Sequence, residues 1–544
     1  MPVLAVQTEE GMCVMALKNL LDVCKKNSIN VSVVDGDLKI KGKKSALSPA
    51  ILGLLKEHKA ALIAFLETYQ PGAHDEHDDT DIARIERGAP LMLSYAQQRL
   101  WFIDQLEQGG AHYNLPLQLE LNGALDVAAL RLALHTIVAR HEVLRTAIVV
   151  SDGQPAQLVR EGVEIDFVEH DLRALCGAEQ AQALARLTGA DAGRRFDLAH
   201  DVLLRGQLVQ LADQRFHLFL NVHHSAADGW SMGILMRELN TLYDAYSQGQ
   251  ASPLAALPLQ YADYAQWQRN WLQGDVLERQ LSYWRAQLDG LPAVHSLPLD
   301  QPRPAQQRFH GRTQGQVLDA GLLAAIDAYC QRAQVTLFMF LQSALCVLLH
   351  RYSGAHDIVI GSPTAGRTHS DVEPLIGLFV NSLVLRSDLA HDPAFADLLQ
   401  QNKKMILGAY EHQRVPFDML VEQLQPARSL SYSPLYQVML TLHNNAQHPM
   451  ALRGLSIERA AGSHNTIKCD LELSASVSGE RLYLDWTYNI DLFDGASIER
   501  MGANFEQLLQ GIVAQPQARI SALPLLTDAE RAQLLHGWNA TDAA

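Results

Sequence analysis

Two adjacent histidines, His223 and His224, are followed by Asp228 and Gly229 in the stretch HHSAADG (223–229). An imidazole changes charge near neutral pH, so proton transfer is the first chemistry such a stretch suggests. Neighbours on a strand point to opposite faces, so the pair is poorly placed to chelate one metal ion, and no further ligand cluster accompanies it. A purely structural histidine pair remains the other reading. Asp228 reads in two ways as well: as the cap of the helix that follows, or as the partner of a distant arginine that fixes the loop. Gly229 would let another group approach the backbone closely. No GxSxG elbow occurs, so a serine hydrolase is unsupported. A base without its own nucleophile suggests that one substrate attacks another.

These residues need a strand and a helix to hold them. RFHLFLNVHH (215–224) alternates, with Phe216, Leu218, Leu220 and Val222 on one side, and predicts a half-buried strand. By parity His224 shares that apolar side. WSMGILMRELNTLYDAY (230–246) places Leu235, Leu239, Leu242, Tyr243 and Tyr246 on one helical face. RLYLDWTYNIDLFDGASIERMGANFEQLL (481–509) repeats the layout around Asp494-Gly495, with Asn489 and Ile490 where His223 and His224 stand. The expectation is a duplicated α/β unit with one active site where the two copies meet.

With 544 residues, 48% of them hydrophobic, the chain should hold two to four domains. Its net charge of −16 argues against a general nucleic-acid binder. The cysteines Cys13, Cys24, Cys176, Cys330, Cys346 and Cys469 are scattered and form no CxxC pair. They predict reduced thiols in a cytoplasmic protein rather than a zinc site or disulfide framework. The N-terminus lacks the basic start of a secretory signal. The most apolar run, VTLFMFLQSALCVLL (335–349), is short and interrupted by Gln342 and Ser343, so a core helix is expected rather than a membrane span. QPGAHDEHDDTDIARIERGAP (70–90) reads as a solvated linker. Before it, helical patterns at 14–29 and 48–69 flank two short strands around Asp35-Gly36. Gly36 and Gly42 are too far apart for a phosphate loop, and Lys44 stands where Ser or Thr is needed. What remains is a hairpin bearing Lys39, Lys41, Lys43 and Lys44, either a solvated edge or a docking surface for an acidic peptide. So small a domain leads us to expect a dimer or a docked partner.

Seven stretches in order carry a family resemblance: LSYAQQRLWFIDQL (93–106), RHEVLRT (140–146), HHSAADGWS (223–231), YADYAQWQ (261–268), IGLFVNSLVLR (376–386), HQRVPFDMLVEQL (412–424) and SPLYQVMLTLHN (433–444). Together they resemble condensation domains of nonribosomal peptide synthetases, relatives of chloramphenicol acetyltransferase. Residues 12–70 resemble TubC-type docking domains, which bind the C-terminal tail of a preceding synthetase subunit. ERAQLLHGWNATDAA (530–544) resembles the linker into an adenylation domain.

The resemblance implies an α/β fold of two chloramphenicol-acetyltransferase-like halves, 91–270 and 271–530, in a V-shaped pseudo-dimer. An αββαα docking domain would occupy 1–70, a linker 71–90, and the start of a linker to an adenylation domain 531–544. The implied reaction is amide formation. Donor and acceptor carrier proteins would present phosphopantetheine thioesters at opposite mouths of a tunnel, with no cofactor or metal held by the domain itself and no nucleic-acid or membrane partner. A downstream adenylation domain and the tail of an upstream subunit are the other implied partners. His224 would be the base for the attacking amine or the group that positions it, His223 structural, Asp228 a shaper of the loop, and the Gly229 N–H an oxyanion donor. Arg367 of TAGR (364–367) is nominated as Asp228's ion-pair partner. The motifs look most like the subtype that joins an L-configured donor to an L-amino acid. Ser225, Ala226 and Ala227 stand where bulkier residues are common. They keep open a starter domain that takes a fatty or other acyl group from acyl-CoA or an acyl carrier. A non-catalytic recruitment platform is the third reading; such domains commonly lose the histidines.

Overall fold

The structure is a computed structural model, and it describes residues 30–34, 37–41, 55, 56, 59, 81–106, 110–427, 429–443, 451–459 and 466–537. The chain divides into two compact units after Asp81. In the first, strands Asn30–Val34 and Asp37–Lys41 pair antiparallel, with Ser32 opposite Lys39 and Asn30 opposite Lys41. Lys39 is exposed, and Lys41 ends the second strand. Lys43, Lys44 and most of the flanking helical patterns lie outside the described residues.

The second unit is built around two sheets. The N-terminal sheet has strand order Leu455–Arg459, Asn114–Gly123, Arg215–His223, Leu204–Ala212, Asp166–Asp171. The C-terminal sheet runs Gly311–Leu318, Arg481–Asn489, Leu471–Ser478, Val438–His443, Asp357–Thr364, Asn381–Asp388. Each has its own apolar core. The duplication extends further than the Asp-Gly pairs. His223 ends its strand opposite Asn114, and Asn489 ends its strand opposite Gly311. The next amides match too: His224 N–H donates to Tyr113 O at 2.8 Å, and Ile490 N–H to His310 O at 3.1 Å. His112 and Phe309, the residues before those two acceptors, touch through their rings at 5.8 Å, where the copies meet.

Three expectations change. Strand Arg215–His223 is buried along its length beyond Arg215 rather than on one face only. Its odd-numbered side is covered as well, where Phe219 packs with Val209, Leu211 and, on helix Gly177–Gly193, Leu184 and Leu187. The stretch 71–90 is not wholly a solvated linker. From Ile82 on it packs against the second unit: Ile82 is buried, Ile85 N–H donates to Asp263, and Arg87 pairs with Asp263 and Glu142. Third, the halves exchange segments. Leu455–Arg459 comes from the C-terminal part of the chain yet pairs antiparallel with Asn114–Gly123. Val372, Leu375, Ile376, Leu378 and Phe379 are buried in the N-terminal core. Among the described residues no single helix is long and apolar enough to cross a membrane. Most of the apolar run at 335–349 lies in helix Leu337–Ser353, which Thr336 caps and whose residues Phe338 to Leu349 are buried.

Candidate active site

His223 is a turn-former. Its Nδ1 accepts the Ser225 N–H at 3.2 Å and lies 2.7 Å from Ser225 Oγ, so the ring proton belongs on Nε2. Its ring meets Phe196 edge-on at 5.7 Å. Burial pushes its pKa down to about 3, with the charges of neighbouring groups adding to the effect. In the second copy Asn489 Oδ1 accepts the N–H two residues on, from Asp491, at 2.9 Å. A side-chain amide thus performs the same turn-closing bond without titrating. His223→Asn should therefore keep the fold. Below pH 6.5 the unfolded chain protonates this histidine and the folded chain does not. Its neutral burial is therefore harmless above pH 6.5 and costs about 1.4 kcal/mol per pH unit below it. The variant should show a shallower loss of stability between about pH 6 and pH 4, measured by denaturant midpoints. An unchanged slope refutes the assignment.

His224 faces the other way. From Asn221 to Asp228 every residue is buried except His224, which is half-buried. Its Nδ1 is enclosed near the carbonyls of His224 and Ala227 but in hydrogen-bond geometry with neither. Solvent therefore reaches some other part of the residue. Burial pushes its pKa down to about 4; the charge of Lys468 lowers it further and Asp228 opposes. At neutral pH the imidazole is uncharged. Ser225, Ala226 and Ala227 turn inward, the two alanines into the N-terminal core.

Asp228 takes both roles that the sequence offered. It caps helix Gly229–Tyr246, accepting from Ser231 N–H at 2.8 Å and Ser231 Oγ at 2.7 Å through Oδ1. Its Oδ2 accepts the N–H groups of Phe379 and Val380 at 3.0 and 3.2 Å. Arg367 Nη2 stands 3.3 Å from Oδ1, and both side chains are 2% exposed. Arg367 Nη1 donates to the carbonyls of Val372 and Leu375, and its guanidinium lies 4.1 Å over the Phe379 ring. Gly229 opens the helix. It is exposed, has no positive φ, and a Cβ there would meet nothing within 4 Å. Neither the backbone nor protein neighbours demand glycine, so the empty space beside it is the notable feature.

Sequence reasoning missed five contributors. Ser231, at the motif's end, ties Asp228 to Gly377. Phe379 and Val380 act through backbone amides, which leave no mark in residue type. Tyr113 holds the His224 amide and sets its ring edge-on to the imidazole, centroids 6.5 Å apart. Lys468 lies over that ring, its Nζ 4.5 Å from the centroid. Its one signal was a lysine in the apolar alternation Ile467, Cys469, Leu471, which reads as solvated.

A family model described as a condensation domain matches residues 89–535, and one described as a TubC N-terminal docking domain matches 17–68. One of the linear gramicidin synthase proteins of Brevibacillus parabrevis is 44% identical over 462 residues, covering 85% of this chain and 6% of that protein. Chondramide synthase of Chondromyces crocatus is 40% identical over 454 residues, covering 84% of this chain and 12% of its own length. The chain thus spans a small fraction of these relatives. Among solved structures, the X-domain from teicoplanin biosynthesis has 30% identity and a TM-score of 0.74 over 82% of this chain and 100% of its own. The first condensation domain of the calcium-dependent antibiotic synthetase shares the fold at 22% identity and a TM-score of 0.66, over 81% and 100%.

Proposed function

The chain belongs to the condensation-domain family of nonribosomal peptide synthetases, with a TubC-type docking domain ahead of it, and from that premise we propose that it joins a donor acyl or peptidyl thioester to the amine of an acceptor aminoacyl thioester. Both substrates arrive on the phosphopantetheine of carrier proteins. The observation that carries this reading is His224: uncharged and solvent-reached, it stands out from the buried residues between Asn221 and Asp228, where residues of both halves converge.

The chemistry follows from that state. The acceptor's ammonium has a pKa of about 8, while the conjugate acid of His224 is far stronger, so the imidazole is a poor base for the ground-state ammonium. Its part is to accept a hydrogen bond from the free amine and aim the lone pair at the thioester carbonyl. Attack makes a tetrahedral intermediate whose nitrogen is now strongly acidic, and His224 can receive that proton. Collapse forms the amide, breaks the C–S bond and returns the proton to the departing thiolate. The Gly229 N–H, at a helix N-terminus beside open space, serves the developing oxyanion.

The motif resemblance, above all DGWSMGIL (228–235) and GLFVNSLVLR (377–386), supports the subtype that elongates an L-configured donor. The exposed Lys39, with Lys41, Lys43 and Lys44, docks the acidic tail of an upstream subunit by strand addition and charge. One experiment tests these readings together. An aminoacyl-loaded acceptor carrier is offered donors on a carrier or on coenzyme A, and its mass is followed. Gain of the donor's mass from the carrier alone is expected. Equal transfer from coenzyme A overturns the elongating subtype in favour of a starter. No transfer from any donor overturns amide formation and favours a recruitment platform. A donor carrier bearing its own acidic C-terminal tail should react faster than a tailless one at low salt, and Lys39→Glu with Lys41→Glu should erase the difference. Equal rates with and without the tail overturn the docking role.

A further inference from the structure

A cation from the C-terminal half stands beside the histidine of the N-terminal half. Lys468 precedes strand Leu471–Ser478. Its neighbours fix it to the meeting point of the copies: Thr466 bridges to His310, and Ile467 N–H donates to Phe309 O at 3.0 Å. From there its ammonium lies on the Tyr113 ring, the ring that meets His224 edge-on. One tyrosine therefore sits between lysine and imidazole while its backbone holds the histidine's amide.

Lys468 is exposed to solvent, yet burial pulls its pKa down to about 8. Water reaches part of the side chain while its ammonium is packed on the Tyr113 ring. The charged groups around it come from several elements. Arg99, on helix Tyr95–Leu106, lowers the lysine further and is itself held by Asp418 of helix Phe417–Leu424 at 2.8 Å. Glu472, on the strand that Lys468 leads into, opposes, but it is engaged by Thr441 Oγ1 and Ser474 Oγ at 3.1 and 3.2 Å. On the histidine's side Asp228 is the opposing charge, and it is saturated by Ser231, Phe379, Val380 and Arg367. Glu472 keeps its negative charge and opposes the lysine in part, whereas Asp228 is offset by Arg367.

We infer that Lys468 is a positioning residue for the reaction: its ammonium, held on the face of the Tyr113 ring that meets His224 edge-on, disfavours a second cation at His224 and favours the arriving amine in its neutral form. A fixed cation raises the free energy of every other cation in the same cleft. Burial already leaves His224 able to accept, and the cation adds to that; its larger effect is on the amine, which must enter with its lone pair free. This rests on the reading of His224 as the group that receives the amine.

The test compares Lys468→Met and Lys468→Arg in the full chain, after checking that both unfold like the parent. NMR titration of ¹³C-labelled histidines, with His224 identified by its absence in His224→Ala, gives its midpoint directly. Removing the charge should raise that midpoint by roughly 0.5 pH unit, the effect of one charge across the Tyr113 ring in partly hydrated protein. The acid limb of kcat/KM should move up with it, and arginine should restore both. A midpoint equal in the methionine variant and the parent overturns the inference. A midpoint that moves while the rate profile stays fixed upholds the coupling and overturns the role given to His224.

Discussion

His224→Ala should slow amide formation by ~10²–10⁴-fold, the range associated with a positioned acid–base group. It should do so without unfolding the protein. The His224 contribution to the fold is its backbone N–H on Tyr113 O, which alanine keeps. The second copy supplies an internal control, since Ile490 occupies the equivalent place and makes the equivalent bond to His310 O. The measurement is single-turnover transfer between loaded carriers, with the thermal midpoint recorded alongside. Parental rates with a natural donor and acceptor would sink the assignment. A lost rate with a lost fold would leave His224 indistinguishable from His223, which is why His223→Asn belongs in the same set.

The second large effect is on stability. Asp228→Ala should cost about 3–5 kcal/mol, because it leaves Arg367 charged, buried and without its carboxylate. The loss includes more than the ion pair. Two backbone amides of the 372–380 segment, the Ser231 N–H and the Ser231 hydroxyl also lose their acceptor. Arg367→Met should cost less, since Asp228 keeps those four donors. The double variant should fall short of the sum of the two single losses, as expected for partners in direct contact. Urea midpoints for the four proteins decide it; strict additivity would show that the 3.3 Å contact contributes nothing. The affected face should be where the halves join, so carrier transfer should fail before global unfolding as denaturant rises.

What was legible in the sequence follows the range of the forces involved. Parity along 215–224 separated His223 from His224, because side-chain alternation is a local property of the extended chain. The repeat at 481–509 was visible because both copies need the same strand end and helix start. The two-residue connection between paired strands at 30–41 was legible for the same reason. The nomination of Arg367 beside Asp228 came from family resemblance, and the structure places the two 3.3 Å apart. Non-local features stayed hidden. Nothing near 455–459 announces that the strand completes a sheet begun at residue 114, because an edge strand's pattern does not name its neighbour. Arg87 looked like part of a charged linker because its partners, Glu142 and Asp263, are far away in sequence. The role of Lys468 stayed hidden because its contact with Tyr113 comes from the other half of the molecule and leaves no local periodicity.

The exchanged segments bear on heredity. The middle of this domain, near residue 270, looks like a tidy seam for an exchange between related chains. A chimera cut there would take its first sheet and its histidines from one parent. It would take that sheet's edge strand, Leu455–Arg459, and the plug Val372–Phe379 from the other. The Asp228 carboxylate and the amides that hold it would then come from different ancestors. Exchanges that move the whole span from Ile82 onward keep those partners together, so inheritance of this domain should be block-like, with hybrids broken at its centre purged or crippled.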